Sequence, residues 1–212
     1  MTPEALLMPD GSKVGFAGMP PDDQFAEIFR SSCRRPPTAE ELAILAGYKV
    51  NVALSGPGGS LDAAKQMMEA GAAIVRAGGA GVFNDNSGLA FGGQQWLYMT
   101  EEGSSDAVTF AFVGIVRGKT EVYTMGMHVL GLREVLMQRA DVEKGGFDIV
   151  EVIRYLAAGG KPVADGHIIA DENGPRFQAF CAESPADFAG SPMHNPFGRL
   201  RLVSIKDIAG QN

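Results

Sequence analysis

The sequence predicts an α+β fold, with mixed sheet covered by two amphipathic helices. Three observations predict it. Apolar residues alternate with polar ones in short runs from Tyr48 onward, which is the strand period. Two longer segments, Leu61–Ala77 and Phe147–Ala158, repeat apolar residues at spacings of three and four. Glycine, 28 of 212 residues, falls between these periodic segments and so marks turns rather than disorder. Residues 1–47 read as an N-terminal helical extension packed on an α+β domain of residues 48–212, the whole forming one globular unit.

The elements follow in order. A short strand is expected around Lys13–Ala17. Asp22 caps a helix carrying Phe25, Ile28 and Phe29, which Pro36-Pro37 terminates. The cluster Arg30, Arg34, Arg35 reads as a solvated helix end. Thr38 and Glu41 have capping-box spacing ahead of Leu42 and Leu45. Tyr48–Leu54 is a strand, Ser55–Ser60 a turn, Leu61–Ala77 a helix and Ala80–Phe83 a second strand, which together read as a β-α-β unit. Asn84–Gly88 is a dense turn, Leu89–Phe91 a return strand, and Gln94–Met99 a short helix with Trp96 inward.

Ala107–Val116 and Thr120–Leu130 read as a hairpin about Arg117-Gly118-Lys119. The second strand has a small polar face of Thr124, Gly126 and His128, suited to a cleft or to close backbone contact. Phe147–Ala158 is the second helix, ended by Gly159-Gly160. Val163–Ala170 and Arg176–Ala182 are strands about an Asp171–Gly174 turn, Leu200–Ile205 is the last strand, and residues 183–198 are a surface loop. Val50–Asp85 and Val122–Asp165 share a strand, helix, Ala-Gly-Gly order, so two related β-α-β halves are one reading; the frequency of glycine after helices is the other.

Charge narrows the partners. Lys and Arg number 18 against 25 Asp and Glu, a net of −7, so phosphate backbones and anionic membranes are repelled and neither nucleic acid nor membrane is expected as a partner. A small molecule, a protein or a second copy of the chain stays open. Cys33 and Cys181 lack metal-ligand spacing and a chain this long needs no bridge, which points to a reducing compartment. No apolar leader or run of about 20 apolar residues is visible, so the cytoplasm is the expected location. No cofactor and no metal is expected.

Three groups are candidates for chemistry. Gly58, Gly59 and Ser60 join a strand to a helix start, where free amides attract anions. No Lys follows to make a P-loop, and Leu61 stands where a dinucleotide fingerprint has its third glycine. The ordinary role is a tight turn with Ser60 as helix cap. His128, Glu134 and His167 near Asp165 are separated polar residues whose spacing matches no metal-ligand pattern; a lone strand histidine is more often hydrogen-bonded structure. Met67, Met68, Met125, Met127 and Met137 read as core filling, and both cysteines as small apolar residues.

Pro57-Gly58-Gly59-Ser60 resembles the Pro-Gly-Gly-Ser segment of Clp-type serine proteases and signal-peptide peptidases. The resemblance implies glycine amides forming an oxyanion hole, Ser87 as nucleophile 28 residues after Gly59, and His128 as base. The chain departs from that pattern. Ser87 lies in the turn Asn84-Asp85-Asn86-Ser87-Gly88, no His-x-Pro neighbourhood surrounds His128, and no motif places an acid, Asp141 and Asp148 being arbitrary choices.

A second resemblance covers residues 48–205. Ala77–Ala90 with Trp96, Tyr123–Val135, Gly159-Gly160-Lys161-Pro162 and Asp165-Gly166-His167 resemble bacterial proteins of domain-of-unknown-function family 4261. The family's central motif is Gly-Met-x-x-Phe-Gly-x-x-Glu. Gly126, Met127, Gly131 and Glu134 match it, and Leu130 replaces the aromatic. The resemblance implies an α+β domain of bacterial cytoplasm without an established activity. It favours a non-catalytic interaction or small-molecule-binding module over a Ser87 hydrolase or an anion site at Gly58–Ser60. A site is expected where the Gly58–Ser60 loop, the Asn84–Ser87 turn and His128 approach one another, and Gly58, Gly59, Ser60, Asn84, Asn86 and Glu134 are the candidate ligand-binding residues.

Overall fold

Strand pairing among the described residues joins consecutive strands with one exception, the parallel pairing of Arg199–Leu202 with Glu134–Met137. A computed structural model describes residues 4–9, 11–143, 148–159, 162–170 and 175–209. Strands β1 (Glu4–Leu7) and β2 (Lys13–Met19) form a hairpin, and β2 pairs antiparallel with β3 (Asn51–Ser55), completing a three-stranded sheet. Helices α1 (Phe25–Ser32) and α2 (Ala39–Gly47) leave from β2 and return to β3. The first 47 residues therefore contribute the strand expected around Lys13–Ala17, a further strand β1, and the expected helices.

Helix α3 (Leu61–Arg76) follows, with Ser60 as its cap, and then the hairpin β4 (Gly81–Asn84) and β5 (Leu89–Gly92). The predicted β-α-β unit is not formed. Strand β3 pairs with β2 and β4 with β5, so the two strands flanking α3 lie in different sheets. Periodicity finds strands but not their partners, and β2 lies too far upstream for local reasoning to supply it.

Helices α4 (Gly93–Glu102) and α5 (Ser105–Phe112) come next. The predicted hairpin is shorter than expected: Ala107–Phe112 is helix, and only β6 (Gly114–Arg117) and β7 (Glu121–Met125) pair. The reason is a cap. The Ser104 hydroxyl accepts the Ala107 amide at 3.0 Å, and Ala107, Val108, Ala111 and Phe112 then fall on one buried helical face. A 3₁₀ turn (Met127–Leu130) replaces the end of the expected second strand, so His128 lies on a turn.

Strand β8 (Glu134–Gln138) leads into α6 (Arg139–Glu143), and α7 (Ile149–Ala157) buries Ile149, Val152 and Ile153 as its periodicity predicts. Strands β9 (Ile168–Ala170), β10 (Arg176–Ala182) and β11 (Arg199–Ser204) and helix α8 (Ile205–Ala209) finish the chain. The larger sheet has the order β6-β7-β8-β11-β10-β9, parallel only between β8 and β11. A mixed sheet with packed helices is the α+β class the sequence predicts. Residues 122–165 do not repeat 50–85, because β7 runs through a turn into its own neighbour β8 before any helix. Phe147, Gly160, Lys161 and the Asp171–Gly174 turn lie outside the described residues.

Two apolar clusters meet along α7. Met68, Trp96, Phe112, Met127 and Leu130 form one with α3, α4 and α5. Val122, Val135, Met137, Phe177, Leu200 and Leu202 form the other on the large sheet. Met68, Met127 and Met137 are core residues, as expected. The arginine cluster corrects one expectation. Arg34 is not solvated: its Nη2 donates to the Val113 carbonyl, at the C-terminus of α5, and its guanidinium lies 4.4 Å from the Phe110 ring centroid. Burial lowers the pKa of this guanidinium.

Candidate functional site

The site is built around one carboxylate. Glu134 opens β8 with its side chain turned into the protein, 6 % exposed. Its Oε2 accepts the Thr124 hydroxyl at 2.7 Å. Its Oε1 accepts the amides of Gly126 at 3.1 Å and Met127 at 3.0 Å, and the Asn195 carboxamide at 2.9 Å. A buried carboxylate needs such donors to replace its water. Thr124 sits beside β8, where its hydroxyl also accepts the Val135 amide at 2.7 Å, so its own proton goes to Glu134.

Two glycines make the geometry reachable. Gly126 has φ +101°, which turns its amide and the next toward Glu134, and a Cβ there would collide with the Phe112 carbonyl. Gly131 has φ +77°, and a Cβ there would collide with the Gly59 carbonyl. The Gly58–Ser60 loop thus lies directly on the 3₁₀ turn, with the Gly59 amide donating to Val129 at 2.9 Å. The Ser60 hydroxyl accepts the Ala63 amide at 3.1 Å as the cap of α3. Both contacts are structural, and they use one glycine amide that an anion or oxyanion would need.

On the other side lies the Asn84–Gly88 turn. Asn84 is buried and donates to the Ala111 carbonyl at 2.6 Å. Asn86 Oδ1 is 3.0 Å from His128 Nε2, so the amide oxygen accepts the ring proton. His128 Nδ1 is 3.5 Å from Glu134 Oε1, outside hydrogen-bond geometry. The structure therefore gathers Gly58–Ser60, Asn84–Ser87, His128 and Glu134 around one turn.

It does not link Ser87 to His128. Ser87 is 8 % exposed, its Oγ has no hydrogen-bond partner among the described residues, and both ring nitrogens of His128 face other groups. Asp148 caps α7 through the Val150 amide at 2.9 Å, and Asp141 lies in α6. His167 bonds locally to the Ala164 amide, and Asp165 accepts the Cys181 amide at 2.8 Å. Among the described residues no three His, Cys, Asp or Glu side chains group to hold a metal.

Sequence reasoning missed Asn195. It is 3 % exposed, lies 61 residues from Glu134, and belongs to a loop whose composition signals only exposure. A cavity of about 10 Å³ lies under that loop beside Thr124 and Glu134, lined also by Tyr123, Phe188, Met193 and Arg199. A groove of about 580 Å³ opens elsewhere, among α2, α3 and α4, lined by Ile44, Val75, Gly79 and Leu97. Its one buried carboxylate, Glu41, is already bonded to the Thr38 amide at 2.7 Å and the Gln94 amide at 3.0 Å.

Fold and site define an α+β protein organised about a buried carboxylate–imidazole cluster. No protein-family model, no curated protein and no solved structure matches the chain. No described helix is long and apolar enough to cross a membrane.

Proposed function

We propose that the chain is a non-catalytic α+β binding or interaction module, with Glu134, His128 and Asn86 holding its binding surface in shape. One observation carries this reading. The ring nitrogens of His128 face Asn86 and Glu134 and the Ser87 hydroxyl bonds to neither, so among the described residues His128 is not placed to activate Ser87. The motif that resembles domain-of-unknown-function family 4261 is consistent with a structural role, because the Gly126 and Met127 amides both donate to Glu134 and Gly131 seats the glycine loop. The two free cysteines support a reducing, cytoplasmic setting.

A fluorophosphonate probe tests the absence of catalysis. Wild-type protein is expected to stay unlabelled under conditions that label a serine hydrolase to completion. Labelling that disappears in Ser87→Ala and in His128→Ala would overturn the reading and restore the hydrolase.

A further inference from the structure

Residues 183–198 leave the sheet at one point and return to it at the same point. Ala182 and Arg199 are paired across β10 and β11, so the sixteen residues between them form an Ω-loop with adjacent ends. Its return is so tight that a Cβ on Gly198, φ +85°, would collide with the Ala182 carbonyl. Ser184, Pro185, Phe188, Met193 and Asn195 of the loop line a small cavity together with Tyr123, Thr124, Glu134 and Arg199 of β7, β8 and β11.

The attachment is uneven. Only Asn195 and Gly198 are buried among these residues. The polar bonds to the rest of the protein gather at that end. Asn195 Nδ2 donates to the Leu132 carbonyl at 2.9 Å and to Glu134, the Glu134 amide donates to Gly198 at 3.1 Å, and Arg133 Nε donates to Phe197 at 2.8 Å. Residues 184–194 are held by turns within the loop, by the Ser184 hydroxyl donating to the Asn195 carbonyl, and by half-buried Pro185, Phe188 and Met193. A segment with few buried contacts opens at lower free energy than the sheet beneath it.

We propose that residues 183–198 are a strap latched by the Asn195 carboxamide on Glu134, and that its release uncovers the Thr124–Glu134 cleft without unfolding the sheet. The latch and the site share one carboxylate, so the strap reports directly on what happens at Glu134. The inference goes beyond the binding reading and does not depend on it: a strap can open whether or not a ligand follows.

Native-state hydrogen exchange tests it on the wild-type chain. The amides of Phe188, Ala189, Ser191 and His194 are expected to exchange at least about a hundredfold faster than those paired between β10 and β11, through a local opening. Asn195→Ala removes the carboxamide's bonds to Glu134, the Leu132 carbonyl and the Phe197 amide, and is expected to speed the strap amides at least about tenfold further and to leave β10–β11 unchanged. Strap amides that exchange only with global unfolding in the wild type would overturn the proposal, as would an Asn195→Ala protein whose strap and sheet accelerate together while remaining folded by circular dichroism. Should Asn195→Ala fail to fold, the wild-type exchange pattern decides alone.

Discussion

Glu41 and Glu134 are both buried carboxylates, 8 % and 6 % exposed, and they do different work. Glu41 joins two helix starts. It completes the capping box of α2, with Thr38 and Glu41 each bonding the other's amide, and its second oxygen accepts the Gln94 amide at the start of α4. Its bonding partners are backbone amides at the positive ends of helices, a setting that suits a fixed anion and asks nothing further of it. Glu134 gathers a hydroxyl, two amides and a carboxamide from three separate segments, and has an imidazole against it. The first is a joint; the second is a hub whose partners include a loop that can leave.

The largest expected effect separates joint from hub. Glu134→Ala strips an acceptor from four buried donors and is expected to cost on the order of 4 kcal/mol, while Glu41→Ala, which removes a cap and one tertiary bond, costs about 2 kcal/mol. Urea unfolding midpoints measure both. Equal losses would mean that the Glu134 cluster is no more than another helix-end joint.

A smaller effect sharpens the same contrast by leaving the carboxylate in place. Gly126→Ala keeps every side chain of the hub but forbids the backbone that presents two amides to it, since φ is +101° and the Phe112 carbonyl blocks a Cβ. A loss of about 3 kcal/mol is expected. The hydrogen-exchange protection of Met127 is expected to fall with it. A neutral substitution would show that the amides reach Glu134 by another route.

The contrast also explains what was legible in the sequence. Glu41 was visible because a capping box is local: Thr38 and Glu41 sit three apart and the helix does the rest. The same holds for Ser60 on α3 and for the buried stripe of α7. The approach of Gly58–Ser60, the Asn84–Ser87 turn and His128 is legible as glycine-rich or small polar segments that interrupt the apolar runs, whereas nothing in the sequence places Glu134 at their centre. Asn195 was illegible, since nothing within its loop distinguishes it from other exposed asparagines. Arg34 was misread for the same reason: its partners Phe110 and Val113 are 76 and 79 positions away. For most partners beyond one turn of chain, type and period give the element and not its neighbour. Strands β3 and β4 failed in that way too.

The smallest effect probes how far the joint's charge reaches. Cys33 lies beside Glu41, and burial first, then the Glu41 carboxylate, push its thiol from an ordinary 9.0 up to about 11. The fold thus favours the neutral thiol. That preference is fully present below pH 9 and is lost as pH rises from 9 toward 11, where the folded thiol ionises. At pH 8 the thiolate is scarce, and although a high-pKa thiolate is the better nucleophile, alkylation of Cys33 by iodoacetamide is expected to run about tenfold slower than that of an unperturbed thiol. Because burial is the larger cause, Glu41→Gln is expected to recover only a minor part of that rate while leaving the helix joint partly bonded. Full recovery would make the carboxylate the dominant influence on Cys33, and would mean that Glu41 governs the chemistry of its neighbour as well as its position.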